Sequence, residues 1–172
     1  PDANDDLGKL AVAHPRVRIE PVDVADIASV DAFAARLKGV PVDVLVNNAG
    51  VFGDTQDLMS GKFSLGSIDF AQFDKFFRTN ALGPLKVTEA LLPNLRAGQQ
   101  KKVVAVSSLA GSFDYTLSTP QMPGHYFYKG SKAALDMFIL TMANDTKKEG
   151  LIVAALSPGQ VDTRNAGLKK MG

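Results

Sequence analysis

The pattern of apolar and polar positions predicts strands that alternate with helices. Apolar runs of strand length occur at Val17–Val24, Val42–Asn47, Lys102–Ser108 and Leu151–Ser157. Pro21 gives the first run an edge or irregular position, because proline cannot donate to a β-ladder. Strands separated by helices of this length indicate βαβ units. The pattern therefore predicts a doubly wound parallel α/β sheet with helices on both faces.

Three helical segments separate the predicted strands. Asp26 is a suitable N-cap for a helix through Leu37, with apolar residues on one face at Ile27, Val30, Phe33, Ala34 and Leu37. The segment from Phe70 to Leu95 has a broad apolar surface, and its phenylalanines at 70, 73, 76 and 77 are expected in the core. A third helix is predicted from Tyr128 to about Glu149. Long loops precede the second and third helices.

Composition narrows the class of protein. The 172 residues suit one domain, 1–172, and 45% hydrophobic with 22% charged residues is ordinary for a globular protein. A formal net charge of +1 gives no electrostatic reason to expect nucleic acid or an anionic membrane as a partner. Cysteine is absent, no His/Asp/Glu cluster has metal-ligand spacing, and no apolar run spans a bilayer. We expect a cytoplasmic protein without a catalytic metal.

Tyr128 and Lys132 are the most informative pair of residues. Residues four apart on a helix lie on one face, so the phenol and the ammonium are expected to be neighbours. A free tyrosine ionises near pH ~10, and a nearby cation favours the phenolate form. The pair is therefore suited to acid/base chemistry near neutral pH.

Polar residues also follow each predicted strand at its carboxyl end. They are Asp23, Asn47-Asn48-Ala49-Gly50, Ser107-Ser108 and Ser157-Pro158-Gly159. In an open parallel sheet, ligands bind beyond the carboxyl ends of the strands. Each cluster alone is ordinary turn chemistry, but their succession along one edge beside Tyr128 and Lys132 predicts an active site.

These motifs resemble the classical short-chain dehydrogenase/reductase family. The matching residues, in family order, are Asn47-Asn48-Ala49-Gly50, Asn80, Ser108, Tyr128 with Lys132, and Pro158-Gly159 followed by Val161, Asp162 and Thr163. The long gap after Ser108 and the run Ala133-Ala134-Leu135 are similar to the carbonyl-reductase-like branch that includes C-signal and sniffer proteins. The resemblance covers Asp23 to Thr163 and implies a Rossmann-type fold.

The resemblance implies an NAD(P)-dependent oxidoreductase, a carbonyl reductase, with a role for each matched residue. Tyr128 is expected to exchange a proton with the substrate oxygen, Lys132 to favour its ionised form, and Ser108 to stabilise charge on that oxygen. Asn80 is expected to hold a water that links Lys132 to solvent. The cofactor, NADP or NAD, would be bound by Asp23, Val24, Asn48, Ala49, Gly50, Tyr128, Lys132, Pro158, Gly159, Val161 and Thr163.

Several of these assignments have alternatives. Ser107 competes with Ser108 because adjacent strand residues point to opposite faces. Tyr126 is six residues from Lys132, off its face, and is expected in a pocket wall or in packing. Asn80 has an alternative as an ordinary buried or helix-start asparagine, and Asp23 as a turn cap. His125, in a loop beside a glycine, is expected at the surface, and His14 carries no functional signal.

The two long loops indicate the substrate and the partners. Phe113, Tyr115, Met122, Pro123 and Phe127 are expected to line an apolar pocket beside Tyr128. Such a lining suits a hydrophobic carbonyl or secondary alcohol as a small-molecule partner. Phe52–Leu65 is expected to lie over the same cleft. Surplus apolar surface on the Phe70–Leu95 segment would serve subunit contact, and the family resemblance implies a homodimer or homotetramer.

The chain departs from the family pattern at both ends. No Gly-x-x-x-Gly-x-Gly run precedes Asp23, although the family's glycine-rich turn holds the cofactor pyrophosphate. We therefore expect a partial domain that lacks the N-terminal βαβ start and the last strand, within a longer protein. A second hypothesis is a dinucleotide-binding sensor or signalling protein on the same fold, with little or no turnover.

Overall fold

The strands form one parallel sheet in a computed structural model that describes residues 6–53, 63–119 and 124–159. In chain order they are β1 (Val44–Asn47), β2 (Lys102–Val106) and β3 (Ile152–Leu156), and they are adjacent in that order. Val44 pairs with Lys102, and Lys102 pairs with Ile152. The predicted parallel α/β fold is confirmed.

All three predicted helical segments contain helix, but the second is divided into several shorter ones. In chain order the α-helices are α1 (Asp6–Ala13), α2 (Ile27–Arg36), α3 (Phe73–Phe77), α4 (Gly83–Ala90), α5 (Leu92–Ala97), α6 (Phe113–Ser118) and α7 (Tyr126–Thr146). Short 3-10 turns cover Phe70–Gln72, Leu109–Gly111 and Lys147–Glu149. Asp26 caps α2 as predicted, since its side chain accepts a hydrogen bond from the Ala28 N–H. None of the helices within the described ranges is long and apolar enough to cross a membrane.

The core lies between one face of the sheet and the helices. Buried residues include Val30, Val87 and Leu91 near β1, Leu95, Val103 and Leu151 near the start of β2, and Ala105, Leu135 and Ile139 under α7. Two right-handed crossovers that step in the same direction place their helices on the same face. On the opposite face, Val44, Val46, Ile152 and Leu156 are exposed. The predicted covering of both faces is therefore seen on one face in the described part of the chain.

The predicted strand at Val17–Val24 is wrong. The segment has no strand assignment, and none of the three described strands lies beside it. Apolar β-branched residues favour a strand only where a ladder partner exists, and Pro21 has no N–H to donate. The segment is held instead by Arg36, whose side chain donates a hydrogen bond of 2.9 Å to Glu20.

The predicted helix from Phe70 to Leu95 is interrupted by a π-helical turn at Arg78–Leu82. Pro84 has no N–H to donate to the Asn80 carbonyl four residues earlier, so the α-helical ladder cannot continue there. The Gly83 N–H instead donates to the Arg78 carbonyl, five residues back. The turn buries Asn80 and Ala81.

Two further predictions need correction: the burial of the phenylalanines near residue 73, and the absence of a helix from the second long loop. Phe76 is 1% exposed and belongs to the core, but Phe70 and Phe73 are 73% and 46% exposed. The second predicted loop contains the short helix α6, which begins after Ser112, whose Oγ accepts a hydrogen bond from the Tyr115 N–H. Local capping thus adds a helix that hydrophobic periodicity did not predict.

Candidate active site

A cleft of about 230 Å³ lies beyond the carboxyl ends of all three strands. Its lining comes from four segments: Asn48 and residues 50–52 after β1, residues 106–108 at the end of β2, Tyr128 and Lys132 of α7, and residues 157–159 after β3. The structure thus brings together most of the residues predicted from the sequence. A parallel sheet makes this possible because the carboxyl ends of its strands share one edge.

Lys132 lies in the floor of the cleft and is 5% exposed. Its Nζ donates a hydrogen bond of 2.7 Å to the Val106 carbonyl, at the end of β2. Burial lowers the pKa of Lys132, and the negative charge of Asp136 partly opposes that shift. Nζ also lies 6.0 Å from the centre of the Tyr128 ring. The helical spacing therefore places the ammonium beside the phenol, as the sequence predicts.

The two adjacent serines at the end of β2 are in different environments. Ser107 is 7% exposed, and its Oγ has no hydrogen-bond partner in the described part of the chain. Ser108 has extended backbone, and its Oγ accepts a hydrogen bond of 3.2 Å from the Ala110 N–H. That bond orients the Ser108 hydroxyl and leaves its hydrogen free to donate. Both serines line the cleft, so their roles stay predictions.

Asn80 lies behind the cleft and makes three hydrogen bonds through its side chain. Its Oδ1 accepts from the Val51 N–H at 2.7 Å, and its Nδ2 donates to the Val51 carbonyl at 2.9 Å and to Ser131 Oγ at 3.0 Å. Ser131 in turn donates to the Tyr128 carbonyl at 2.8 Å. We call Asn80, Ser131 and the Val51 backbone the Asn80 clamp. It joins the loop after β1 to the helix that carries Tyr128.

Ser131 is a site residue that the sequence analysis missed. Asn80 and Ser131 are both fully buried. A signal existed, because a serine three residues after Tyr128 on a helix can donate back to that residue's carbonyl. Ser131, which maintains the local structure, therefore lies in the sequence between Tyr128 and Lys132, the two residues expected to take part in the reaction.

Two glycines lie beside Lys132, and at Gly111 the absence of a side chain permits an unusually close contact. A Cβ on Gly50 would lie 3.4 Å from Asn80 Oδ1 and 3.7 Å from Lys132 Nζ. A Cβ on Gly111 would lie 2.8 Å from the Lys132 carbonyl carbon, which is closer than real side chains approach. The turn after Ser108 can pack against α7 at this distance because residue 111 has no side chain.

Some predicted cofactor residues are not in the cleft. Asp23 Oδ1 accepts a hydrogen bond of 2.9 Å from the Ala25 N–H, which is the turn-capping alternative. Val24 lines a separate apolar groove together with Leu82 of the π-helical turn and residues of α2 and α4. Ala49 follows β1 but does not line the cleft. Val161 and Thr163 lie outside the described residues, as do Met122 and Pro123.

The apolar lining differs from the prediction. Phe113 is 83% exposed on α6, and the Phe127 ring packs against Phe70 and Phe73. Neither Tyr115 nor Tyr126 lines the cleft. The aromatic wall is Phe52, whose ring meets Tyr128 edge to face at a centroid distance of 4.7 Å. This agrees with the expectation that the segment beginning at Phe52 lies at the cleft.

The expected surface position of His125 is also wrong. Its side chain is partly buried, and burial together with the positive charge of Lys129 lowers its pKa. The imidazole stacks on the rings of Phe52 and Phe63. Sequence analysis could not foresee this, because the contacting rings are more than 60 residues away in the chain.

Comparisons with known proteins identify the same family that the motifs in the cleft resemble. The sequence profile described as short chain dehydrogenase matches residues 4–170. The chain is 43% identical over 137 residues to C-signal of Myxococcus xanthus, covering 79% of this chain and 75% of that protein. It is 38% identical over 150 residues to 1-hydroxy-2-glutathionyl-2-methyl-3-butene dehydrogenase of Rhodococcus sp., covering 86% of this chain and 60% of that enzyme.

A solved structure shows the same arrangement of elements. NADPH-bound carbonyl reductase from chicken fatty liver superimposes with a TM-score of 0.77 at 28% sequence identity. The match covers 95% of this chain and 68% of the reductase chain. The chain thus spans between about three fifths and three quarters of the length of these relatives.

Proposed function

Because this chain belongs to the short-chain dehydrogenase/reductase family, we propose that it is an NAD(P)-dependent oxidoreductase acting on a carbonyl or secondary alcohol. The observation that carries the proposal is that one cleft holds the Tyr128 phenol, the Lys132 ammonium and the Ser108 hydroxyl. Each has hydrogen-bonding capacity that the described residues leave unused. Cytoplasmic location, a homo-oligomeric state and a carbonyl substrate remain predictions.

The cleft has features that fit a nicotinamide dinucleotide. Gly50 leaves space beside Lys132 and Asn80 that a Cβ would fill. Ser107 Oγ is buried without a partner among the described residues, and Lys132 uses one of its ammonium hydrogens on the Val106 carbonyl. Asn48, Gly50, Pro158 and Gly159 would hold the nucleotide, with Lys132 donating to its ribose hydroxyls. The bound nicotinamide supplies or accepts the hydride.

The protein's own residues would manage the proton and the charge. Tyr128 would give its hydroxyl proton to the carbonyl oxygen as that oxygen gains charge, and Lys132 would stabilise the phenolate that remains. Ser108 would donate a hydrogen bond to the same oxygen, with the Ala110 N–H keeping its Oγ in place. Since Val51 and Ser131 already engage the Asn80 amide, we assign Asn80 the positioning of the Phe52 loop and α7. The water relay expected at Asn80 stays a prediction.

A dinucleotide-binding signalling protein is the second candidate. It is supported by the 43% identity to the protein named C-signal. Nucleotide binding without product formation would favour it. Unused capacity at Tyr128 and Ser108 favours chemistry, because a sensor has no need of a proton donor in the cleft.

Isotope transfer tests the proposed reaction directly. NADPH or NADH deuterated at the reactive C4 position is incubated with the protein and a panel of apolar aldehydes and ketones, and products are analysed by mass spectrometry. We expect deuterium on the carbinol carbon of at least one product, lost in Tyr128→Phe and retained in the control Tyr126→Phe. Saturable nucleotide binding with no labelled product across the panel would contradict the proposal.

A further inference from the structure

His125 has an unusual backbone conformation immediately before α7. Its φ of 57° and ψ of 34° lie in the left-handed region, which few residues other than glycine adopt. The preceding Gly124 also has positive φ. The His125 N–H donates a hydrogen bond of 3.0 Å to the Phe63 carbonyl. Two successive positive-φ residues and this bond fix the direction in which the imidazole leaves the chain.

The imidazole is the middle member of a row of aromatic rings. It stacks on Phe63 with a centroid distance of 5.8 Å and an interplanar angle of 25°. On Phe52 the corresponding values are 5.5 Å and 17°. Phe63 meets Phe76 edge to face at 5.8 Å, and Phe76 is 1% exposed in the core. Phe52 meets Tyr128 at 4.7 Å. The row therefore runs without a gap from the core to the candidate proton donor.

Within this row, Phe52 needs support on its side away from the cleft. Its neighbour Val51 is held by Asn80, but Phe52 is 39% exposed at the edge of the cleft. The imidazole supplies the stacked contact that limits rotation of the Phe52 ring. His125 itself does not line the cleft, so it would act through Phe52.

The imidazole is suited to this place as a neutral ring. Its Nδ1 is buried and has no hydrogen-bond partner within the described ranges. A proton on Nδ1 would leave a buried donor unsatisfied, so the Nε2–H tautomer is expected. Burial and the nearby Lys129 both disfavour the cation.

We propose that His125 is a positioning residue whose ring, stacked between Phe63 and Phe52, holds Phe52 against Tyr128 and fixes the apolar wall of the substrate site. The assignment of that wall to a carbonyl substrate rests on the proposed function. The stack itself does not, and the two parts can be tested separately.

NMR spectroscopy tests the stack without any need for turnover. The chain contains two histidines, and His14→Ala assigns both imidazole signals. We expect the His125 ring protons upfield of free histidine, because two phenylalanine rings stack on the imidazole, and the 15N shifts of an Nε2–H tautomer at pH 7. Phe52→Leu should remove part of the upfield shift. Ring protons at free-histidine positions in the unmutated protein would overturn the proposal, whatever the variants do.

Substitutions of His125 test the effect on the substrate. His125→Phe keeps a ring that can stack, whereas His125→Asn tolerates the left-handed backbone but has no ring. In His125→Asn we expect KM for the carbonyl to rise roughly tenfold, the scale of a lost apolar pocket contact. Nucleotide Kd should be unchanged, because neither His125 nor Phe52 is among the residues proposed to hold the nucleotide. His125→Phe should restore KM to near the original value.

The outcomes separate the proposal from the proposed function. An unchanged carbonyl KM in a folded His125→Asn protein would overturn the positioning role, as would equal losses in the Asn and Phe variants. If the unmutated protein turns over no carbonyl, the proposed function fails. The NMR shifts then still decide whether His125 holds Phe52 against Tyr128.

Discussion

Two groups of polar side chains meet at Gly50, and they differ in how much hydrogen-bonding capacity the protein itself uses. In the Asn80 clamp, both amide hydrogens and the oxygen of Asn80 are engaged, and Ser131 both accepts and donates. In the cleft, neither the Ser107 hydroxyl nor the Tyr128 hydroxyl has a partner among the described residues. Within the same described ranges, the Lys132 ammonium makes one hydrogen bond, to the Val106 carbonyl.

The difference separates residues that maintain the geometry from residues available to a ligand. Buried polar groups are nearly always satisfied in proteins, and leaving one unsatisfied costs about 1–3 kcal/mol. The clamp follows that rule and should therefore matter most for stability. The cleft departs from it, so its residues should matter most for binding and turnover.

Lys132→Met should give the largest effect, and it should fall on turnover. We expect kcat to fall at least about 10²-fold, because the phenolate of Tyr128 loses its cation. The free energy of unfolding should stay within about 1 kcal/mol, since losing one hydrogen bond is offset by no longer burying a charge. Steady-state kinetics and urea unfolding measure the two quantities. A large loss of stability would contradict this assignment, because it would show that Lys132 maintains the structure as the Asn80 clamp does.

Asn80→Ala should show the opposite pattern. It leaves the partly buried Val51 N–H and Val51 carbonyl without their partner and removes the donor to Ser131 Oγ, so we expect about 2–3 kcal/mol of destabilisation. Ser131→Ala, which removes two side-chain hydrogen bonds but leaves Asn80 bound to Val51, should cost about 1 kcal/mol. Both are measured by urea unfolding. Equal stability of Asn80→Ala and the unmodified protein would refute the clamp.

Asp136→Asn should cause the smallest change, a shift in pH dependence. Asp136 lies one helical turn after Lys132, and its charge raises the Lys132 pKa against the lowering by burial. Removing that charge lowers the Lys132 pKa further, so the cation is lost at a lower pH. The alkaline limb of the kcat profile should therefore move to lower pH. Asp145→Asn, an exposed position on the same helix, is the control and should leave the limb in place.

The local sequence pattern predicted those features of the fold that depend only on residues close together in the sequence. The cap at Asp26 and three of the four strands follow from capping and apolar runs. Val17–Val24 failed because a strand needs a ladder partner, and periodicity does not show whether one exists. The π-helical turn had a readable cause in Pro84, but a missing N–H predicts a break without predicting its form.

In the candidate site, too, contacts within one helix could be predicted from the sequence, whereas contacts between distant segments could not. Tyr128 and Lys132 are four apart on one helix, so their proximity follows from the sequence alone. The pairing of Asn80 with Val51 and Ser131, and the stacking of His125 on Phe52, join segments far apart in the chain. Phe127 illustrates the limit: it is next to Tyr128 in sequence, yet it does not line the cleft and its ring packs against Phe70 and Phe73.

The most direct test of the account compares Tyr128→Phe with the unmodified protein in one experiment. The change removes a single hydroxyl from the cleft and leaves the ring that contacts Phe52. Nucleotide oxidation with the best carbonyl substrate, nucleotide Kd and urea unfolding would be measured together. The account predicts a fall in kcat of about 10²-fold or more, with nucleotide affinity and stability almost unchanged. A folded Tyr128→Phe protein that retains near-normal turnover would contradict it.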